Sequence, residues 1–290
     1  MLDQKLAEAM QRVLAKGEER FTLTKALENL IEYGIGTRRG KSAYFNAKDK
    51  EEIRAWLEAK GFSTEQRVQP GMSRSERLAI TPNEKAGGEA VKQHRISIKA
   101  LASQHLVIGE HPLLLPSETH LDMNWRKAVG QIGHSCILVV ENYENFNRIH
   151  ETQFDLPEGF RSPLVVYRGD PNESRTENVL RFLAQADLPV LAFMDADPAG
   201  IAIACQFPNL AGMVLPPIEL LEEQLNNPKT ARKDLFLEQY SVYGVGLDAL
   251  PASHPCKNTW KLISRSAAGV VQERWIQETV RIFRYGNSGS

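Results

Sequence analysis

The apolar pattern changes character near residue 135. Before that point it has helical spacing. Leu6, Met10, Val13 and Leu14 share one face of a helix expected over 3–17, and Gly17 ends it. A second helix is expected from near Thr24, with Leu27, Leu30 and Ile31 on one face and Gly34 as its stop. Asp49 with Glu52 resembles a capping box. The helix after it turns Ile53, Trp56 and Leu57 inward and ends at Gly61. Between the last two helices lies a turn-rich basic stretch containing Gly34, Gly36, Arg38, Arg39, Gly40 and Lys41. Helices around such a turn predict a small, mostly helical or winged-helix module over residues 1–62.

Residues 63–90 are polar and broken by Pro70, Gly71, Pro82, Gly87 and Gly88, the composition of a linker or extended arm. A second basic cluster follows at Lys92, His94, Arg95 and Lys99, and then short apolar runs at 105–108 and 113–115. Residues 63–130 therefore read as a linker with a small β-containing region. Beyond 135, four apolar runs (CILVV at 136–140, LVVY at 164–167, VLAFM at 190–194, LAGMVL at 210–215) alternate with helix-like segments at 143–151, 174–186 and 198–206. Continuous apolar strands between helices predict a parallel sheet covered on both faces, hence an α/β fold. Two further helices are expected at 217–225 and about 262–284.

Composition narrows the class. The 290 residues are 42% hydrophobic and 24% charged, as in globular chains. No apolar run approaches the ~18 residues of a membrane span, and the opening residues do not read as a signal peptide. Cys136, Cys205 and Cys256 are odd in number and far apart, forming neither a disulfide framework nor a zinc pattern. Cys136 and Cys205 suit buried apolar positions, and the histidines have no paired ligand spacing. A reducing, cytoplasmic setting is expected. Net charge is −1, but residues 1–130 hold 21 Lys+Arg against 17 Asp+Glu, and the remainder 14 against 19. This is compatible with a basic module joined to an acidic one, or with chance.

The acids of the second half have a common placement. Glu141 follows the first apolar run, Asp170 the second after Arg168-Gly169, and Asp195 and Asp197 the third. Strand carboxyl ends are where ligand sites form in such sheets. Neighbouring carboxylates repel and raise one another's pKa unless a cation sits among them, and an all-oxygen set selects Mg²⁺ or Mn²⁺. Pro198, Ala199 and Gly200 then open a helix whose N-terminus is a ready place for phosphate. Singly, such acids more often just cap helices.

In this order the residues are more specific. Glu141-Asn142 with Phe146, Tyr167-Arg168-Gly169-Asp170, and Asp195-Ala196-Asp197-Pro198-Ala199-Gly200-Ile201 resemble a Toprim domain. The branch is that of the topoisomerase VI A subunit and of the nuclease subunits JetD and MksG of Wadjet-type SMC plasmid-defence systems. Gly269-Val270-Val271-Gln272-Glu273 resembles the late glutamine-glutamate element of the nuclease branch. The resemblance implies a Toprim catalytic domain over 131–290, Rossmann-like with a C-terminal helical extension. It implies Glu141 as metal ligand or general acid/base, Asp195 and Asp197 as the metal-binding pair, Glu273 as a further ligand and Asp170 in support. It implies an Mg²⁺- or Mn²⁺-dependent endonuclease acting on double-stranded plasmid DNA with SMC–kleisin-type partners. Double-strand cutting needs two sites, which is compatible with a homodimer.

The topoisomerase branch also needs a tyrosine in an Arg-x-x-(Tyr/Phe)-Tyr context. Upstream of Glu141 only Tyr33 and Tyr44 occur, and neither has it, so hydrolysis by water is preferred over strand passage. A non-catalytic DNA-binding scaffold is the other alternative. Arg38, Arg39, Lys41, Lys92, Arg95 and Lys99 are the candidate DNA contacts, against the plainer reading of solvated surface.

Overall fold

The computed structural model describes residues 4–65, 72, 76, 80, 94–170 and 175–283. The chain forms two units, residues 1–91 and 92–290. The division therefore lies at 91; no boundary between units falls at 130. Most of the linker expected at 63–90, and Lys92, lie outside the described residues.

Among its described residues, the first unit joins helices over 4–59 to an antiparallel three-stranded sheet. The helices are α1 (Gln4–Ala15), α2 (Lys25–Glu32) and α3 (Ala47–Ala59), and β1 (Arg20–Thr22), β3 (Ser42–Tyr44) and β2 (Thr37–Arg39) lie side by side in that order. Met10, Val13, Leu30, Phe45, Ile53 and Leu57 are fully buried and form its core. Thr24 caps α2 as expected. The capping box of α3 is Asn46 with Asp49, one turn earlier than expected, because Asp49 also receives the Gly36 N–H (3.1 Å). The basic turn is a hairpin, β2 to β3.

The second unit is α/β, built on an eight-stranded sheet of order β7-β4-β10-β8-β11-β12-β13-β9. Its centre is the four expected strands: β8 (Cys136–Val140), β10 (Pro163–Tyr167), β11 (Val190–Phe193) and β12 (Leu210–Leu215), mutually parallel. Every residue of β8, β10 and β11 is buried, which is why these strands are unbroken apolar runs. The strands that flank this centre join it antiparallel. β4 (Arg95–Lys99) pairs with β10 and with β7 (Leu121–Asn124), so part of the 63–130 segment belongs to the main sheet. At the other edge β13 (Thr279–Ile282) pairs with β12 and with β9 (Gln153–Asp155). β5 (Leu106–Ile108) and β6 (His111–Leu113) form a separate hairpin.

Helices α4 (Trp125–Ala128), α5 (Tyr143–Asn147), α6 (Thr176–Ala186), α7 (Pro198–Ala204) and α8 (Ile218–Asn226) lie between or beside these strands. Two helices follow, α9 (Lys233–Asp248) and α10 (Lys257–Ser266). The helix expected over 262–284 is thus corrected: only its start is helical, and β13 occupies its end. No described helix is long and apolar enough to cross a membrane.

In spatial order the parallel strands run second, first, third, fourth along the chain. The chain leaves β8 toward β10 on one side and returns to β11 on the other. Such a reversal opens a crevice at the carboxyl ends of the two strands that flank it, here β8 and β11.

Candidate functional site

Glu141 and Asp195 stand on the two sides of that crevice. Glu141 N–H bonds to Phe193 O (3.1 Å) and Asp195 N–H donates to Glu141 Oε2 (3.1 Å), so each strand end holds the other. Arg168, just past β10, brings its Nε to 3.8 Å from Glu141 Oε1. That Nε is buried and has no hydrogen-bond partner.

The third side comes from more than 70 residues downstream of Asp195, along 270–275. Ala196 and Val270 exchange both backbone hydrogen bonds (2.9 and 3.0 Å). Gln272, fully buried, then ties the segment to both strands. Its backbone N–H donates to Asp195 Oδ1 (2.7 Å), its side-chain N–H to Phe193 O (2.9 Å), and its Oε1 accepts from the Asn142 N–H (3.0 Å). Trp275, fully buried, stacks on Phe193 at 6.0 Å and donates to Gln224 of α8 (2.9 Å), which fixes the segment from below. Glu273 is thereby held at the mouth, accepting from Asn142 Nδ2 (2.7 Å).

Carboxylates crowded in this way disfavour their own charge. Burial raises the pKa of Glu141, and Asp197 and Glu273 add to it against the pull of Arg168. Asp195 is pushed up to about 7, first by burial, then by Glu141, with Asp197 and Glu273 contributing. Among the described residues Asp195 Oδ2 has no hydrogen-bond donor.

Asp197 has a different job. Its Oδ1 accepts from Gly200 N–H (2.7 Å), capping α7, and its Oδ2 accepts from the Gln239 amide of α9 (2.9 Å). Gln239 Oε1 in turn takes the Ala199 N–H (3.0 Å). The helix start expected to receive phosphate is therefore closed by the protein's own side chains. Asp197 is 3% exposed, and a plain cap explains its position. Gly200 is required by the same geometry, since a Cβ there would lie 2.3 Å from the Asp195 carbonyl oxygen. Gly200→Ala is expected to cost about 1–3 kcal/mol or more, by overpacking against rigid backbone. Urea unfolding of the metal-free chain measures it.

The profile of DUF7281, a domain of unknown function, matches residues 88–283. The chain belongs to the DUF7281 family. No curated protein matches the sequence. The DUF7281 region contains Glu141, Asp170, Asp195, Asp197 and Glu273, whereas Arg38, Arg39 and Lys41 lie before it.

Within the DUF7281 region the structure sorts the remaining residues. Asp170 accepts from the Tyr167 hydroxyl (3.0 Å) on the β10 side. Lys99 is corrected as a DNA contact: it is buried, and its ammonium donates to the Phe146 and Asn147 carbonyls (3.1 and 3.2 Å). Arg95 is ion-paired with Asp122 (3.0 Å). His134 bridges Val107 N–H and Ser162 O and is structural. Before the region, Arg38 pairs with Glu28 (3.3 Å) and Arg39 stacks on Tyr44 (4.9 Å), while Lys41 is exposed at the hairpin turn. Sequence reasoning missed Gln239, which carries no motif of its own. It also set the cysteines apart, whereas Cys205, Cys256 and His254 converge.

Proposed function

We propose that the chain is a divalent-metal-dependent DNA endonuclease of the Toprim type, with Glu141 and Asp195 at its catalytic centre. One observation carries the reading. The two acids meet at the strand-order reversal, and Gln272 and Glu273 join them from the far end of the unit. The donor set is of the chemical kind Mg²⁺ or Mn²⁺ takes, although the three carboxylates do not all come within 4.8 Å of one another in the metal-free chain. It is all oxygen, burial and the neighbouring acids raise the pKa of Asp195, and Arg168 is the counter-charge beside Glu141. Mg²⁺ uses one or two carboxylates together with substrate phosphates, so a closed cage is unnecessary. Glu141, Asp195 and Glu273 would hold it, with Asp197 keeping α7 and Asp195 in place.

When bound, the ion would supply positive charge to the phosphate and acidify water. The chain's own residues do the rest. Arg168, with its unpaired Nε, offers a donor to a phosphate oxygen. Glu141, its pKa raised by burial, is suited to hold or move a proton. Gln272 keeps the Glu141 and Asp195 backbones in register. The winged-helix-like first unit, with Lys41 and the arginines on its hairpin, is the surface we assign to DNA. A chain of net charge −1 neutralises few phosphates, which supports delivery by partners of the SMC–kleisin type or by a second copy. Apolar Leu237, Val242 and Val245, exposed on α9, are suited to such a contact.

The test is cleavage of supercoiled plasmid with Mg²⁺ or Mn²⁺, alone and with SMC partners, each product run with and without protease. Metal-dependent cutting with protein-free ends is expected. Ends that shift only after protease would establish the topoisomerase alternative. No cutting even with partners would leave a DNA-binding scaffold.

A further inference from the structure

Cys205, His254 and Cys256 bring one sulfur or nitrogen each to within 4.8 Å of one another, the only such ligand group among the described residues. Cys205 closes α7, whereas Cys256 is fully buried and stands at the N-cap of α10. All three cysteines are free thiols. The Toprim-like acids do not use this group. Asp197 and Cys205 sit at opposite ends of α7, about 12 Å apart at 1.5 Å per residue.

We propose that Cys205, His254 and Cys256 bind a thiophilic divalent cation, Zn²⁺ first, fastening the start of α10 to the end of α7. Two sulfurs and an imidazole are a zinc ligand set, and three protein ligands leave a fourth position for water. Without metal, the hydrogen bond to Cys205 and burial hold the Cys256 thiol protonated, so a cation has to displace that proton. The Cys256 N–H donates to His254 Nδ1 (3.1 Å), so that nitrogen is unprotonated and its lone pair is taken by this bond, which ligation of a metal through Nδ1 would replace. Without metal, the Cys256 thiol donates to the Cys205 sulfur and lowers its pKa. A cation replaces the shared proton, and the thiol protons leave to solvent.

The full chain, reduced and chelator-stripped, is titrated with Zn²⁺ against a colorimetric chelator and with Co²⁺ by absorption. One equivalent of zinc, a thiolate-to-cobalt charge-transfer band and a higher Tm are expected. Cys205→Ser and His254→Gln, at partly exposed positions, should each weaken zinc by more than about 10–100-fold, the loss typical of removing even a supporting hydrogen bond. Circular dichroism checks that these variants fold. Asp195→Asn should retain the zinc equivalent, which separates this group from the acids. No stoichiometric zinc in the reduced chain, no charge-transfer band, or undiminished zinc in the Cys205→Ser/His254→Gln double variant would overturn the proposal.

Discussion

Asp195→Asn is expected to abolish metal-dependent plasmid cleavage, by about a thousandfold or more, while stabilising the metal-free chain. The first effect follows from the ion. A metal supplies several kcal/mol of charge stabilisation, and each 1.36 kcal/mol is about a factor of ten in rate. The second follows from crowding. Folded Asp195 keeps its proton up to about 7, whereas the unfolded group loses it near the ordinary aspartate value of 3.8. Between these values the folded chain binds the extra proton, so metal-free stability falls as pH rises through that window. Asparagine removes the charge and keeps the acceptor for Gln272 N–H. The Tm gain of the variant should therefore be larger at pH 8 than at pH 5. Scanning calorimetry with chelator at both pH values checks this. A variant destabilised at pH 8 would mean that Asp195 is a paired structural acid, and the metal reading would lose its electrostatic basis. For the same reason Mg²⁺ affinity of the wild type should rise with pH through about 7.

Gln272→Ala is expected to lower stability by about 2–4 kcal/mol, from a cavity and from the unpaired Asn142 N–H. In a domain of this size that is roughly 5–15 °C in Tm. Its effect on cleavage is expected to be a further loss of about 10–100-fold, typical of residues that orient ligands. Gln272→Glu separates the two effects. It keeps the acceptor for Asn142 N–H but adds a carboxylate beside Glu141, Asp195 and Glu273. At neutral pH it should bind Mg²⁺ without turning over at the wild-type rate. Isothermal titration with Mg²⁺ beside single-turnover cleavage distinguishes loss of binding from loss of geometry. If both variants cleave at the wild-type rate, the late segment is only a brace.

What could be read from sequence follows burial. β8, β10, β11 and β12 were legible because strands buried on both faces have no polar positions to blur them. β4, in which Arg95, Ser97 and Lys99 alternate with Ile96 and Ile98, lies second from the sheet edge, and its basic side chains read as a surface cluster. Lys99 went inward instead, its ammonium satisfied by two carbonyls. α9 was missed because its apolar residues spread around the helix: Phe236 and Leu247 are buried while Leu237, Val242 and Val245 are exposed. β13 was read as helix because a short apolar run has no period of its own. In the candidate site, Glu141 and Asp195 stand out in the sequence as acids after apolar runs, and Glu273 only through the resemblance. The duty of Asp197 was not legible, since a cap and a ligand occupy the same sequence position. Cys205 lies about fifty residues before His254 and Cys256, too far for any spacing rule to join them.

The closing of the crevice by 270–275 has a bearing on synthesis. Translation delivers Glu141 and Asp195 long before Gln272, and the segment between them contains α9, whose Gln239 holds Asp197. A nascent chain halted after α8 has both acids and the bonds between their strand ends, but lacks Gln272 on Asp195 and Gln239 on Asp197. The crevice is thus completed late in the synthesis of the second unit, and a product ended before 270 lacks the segment that braces both acids.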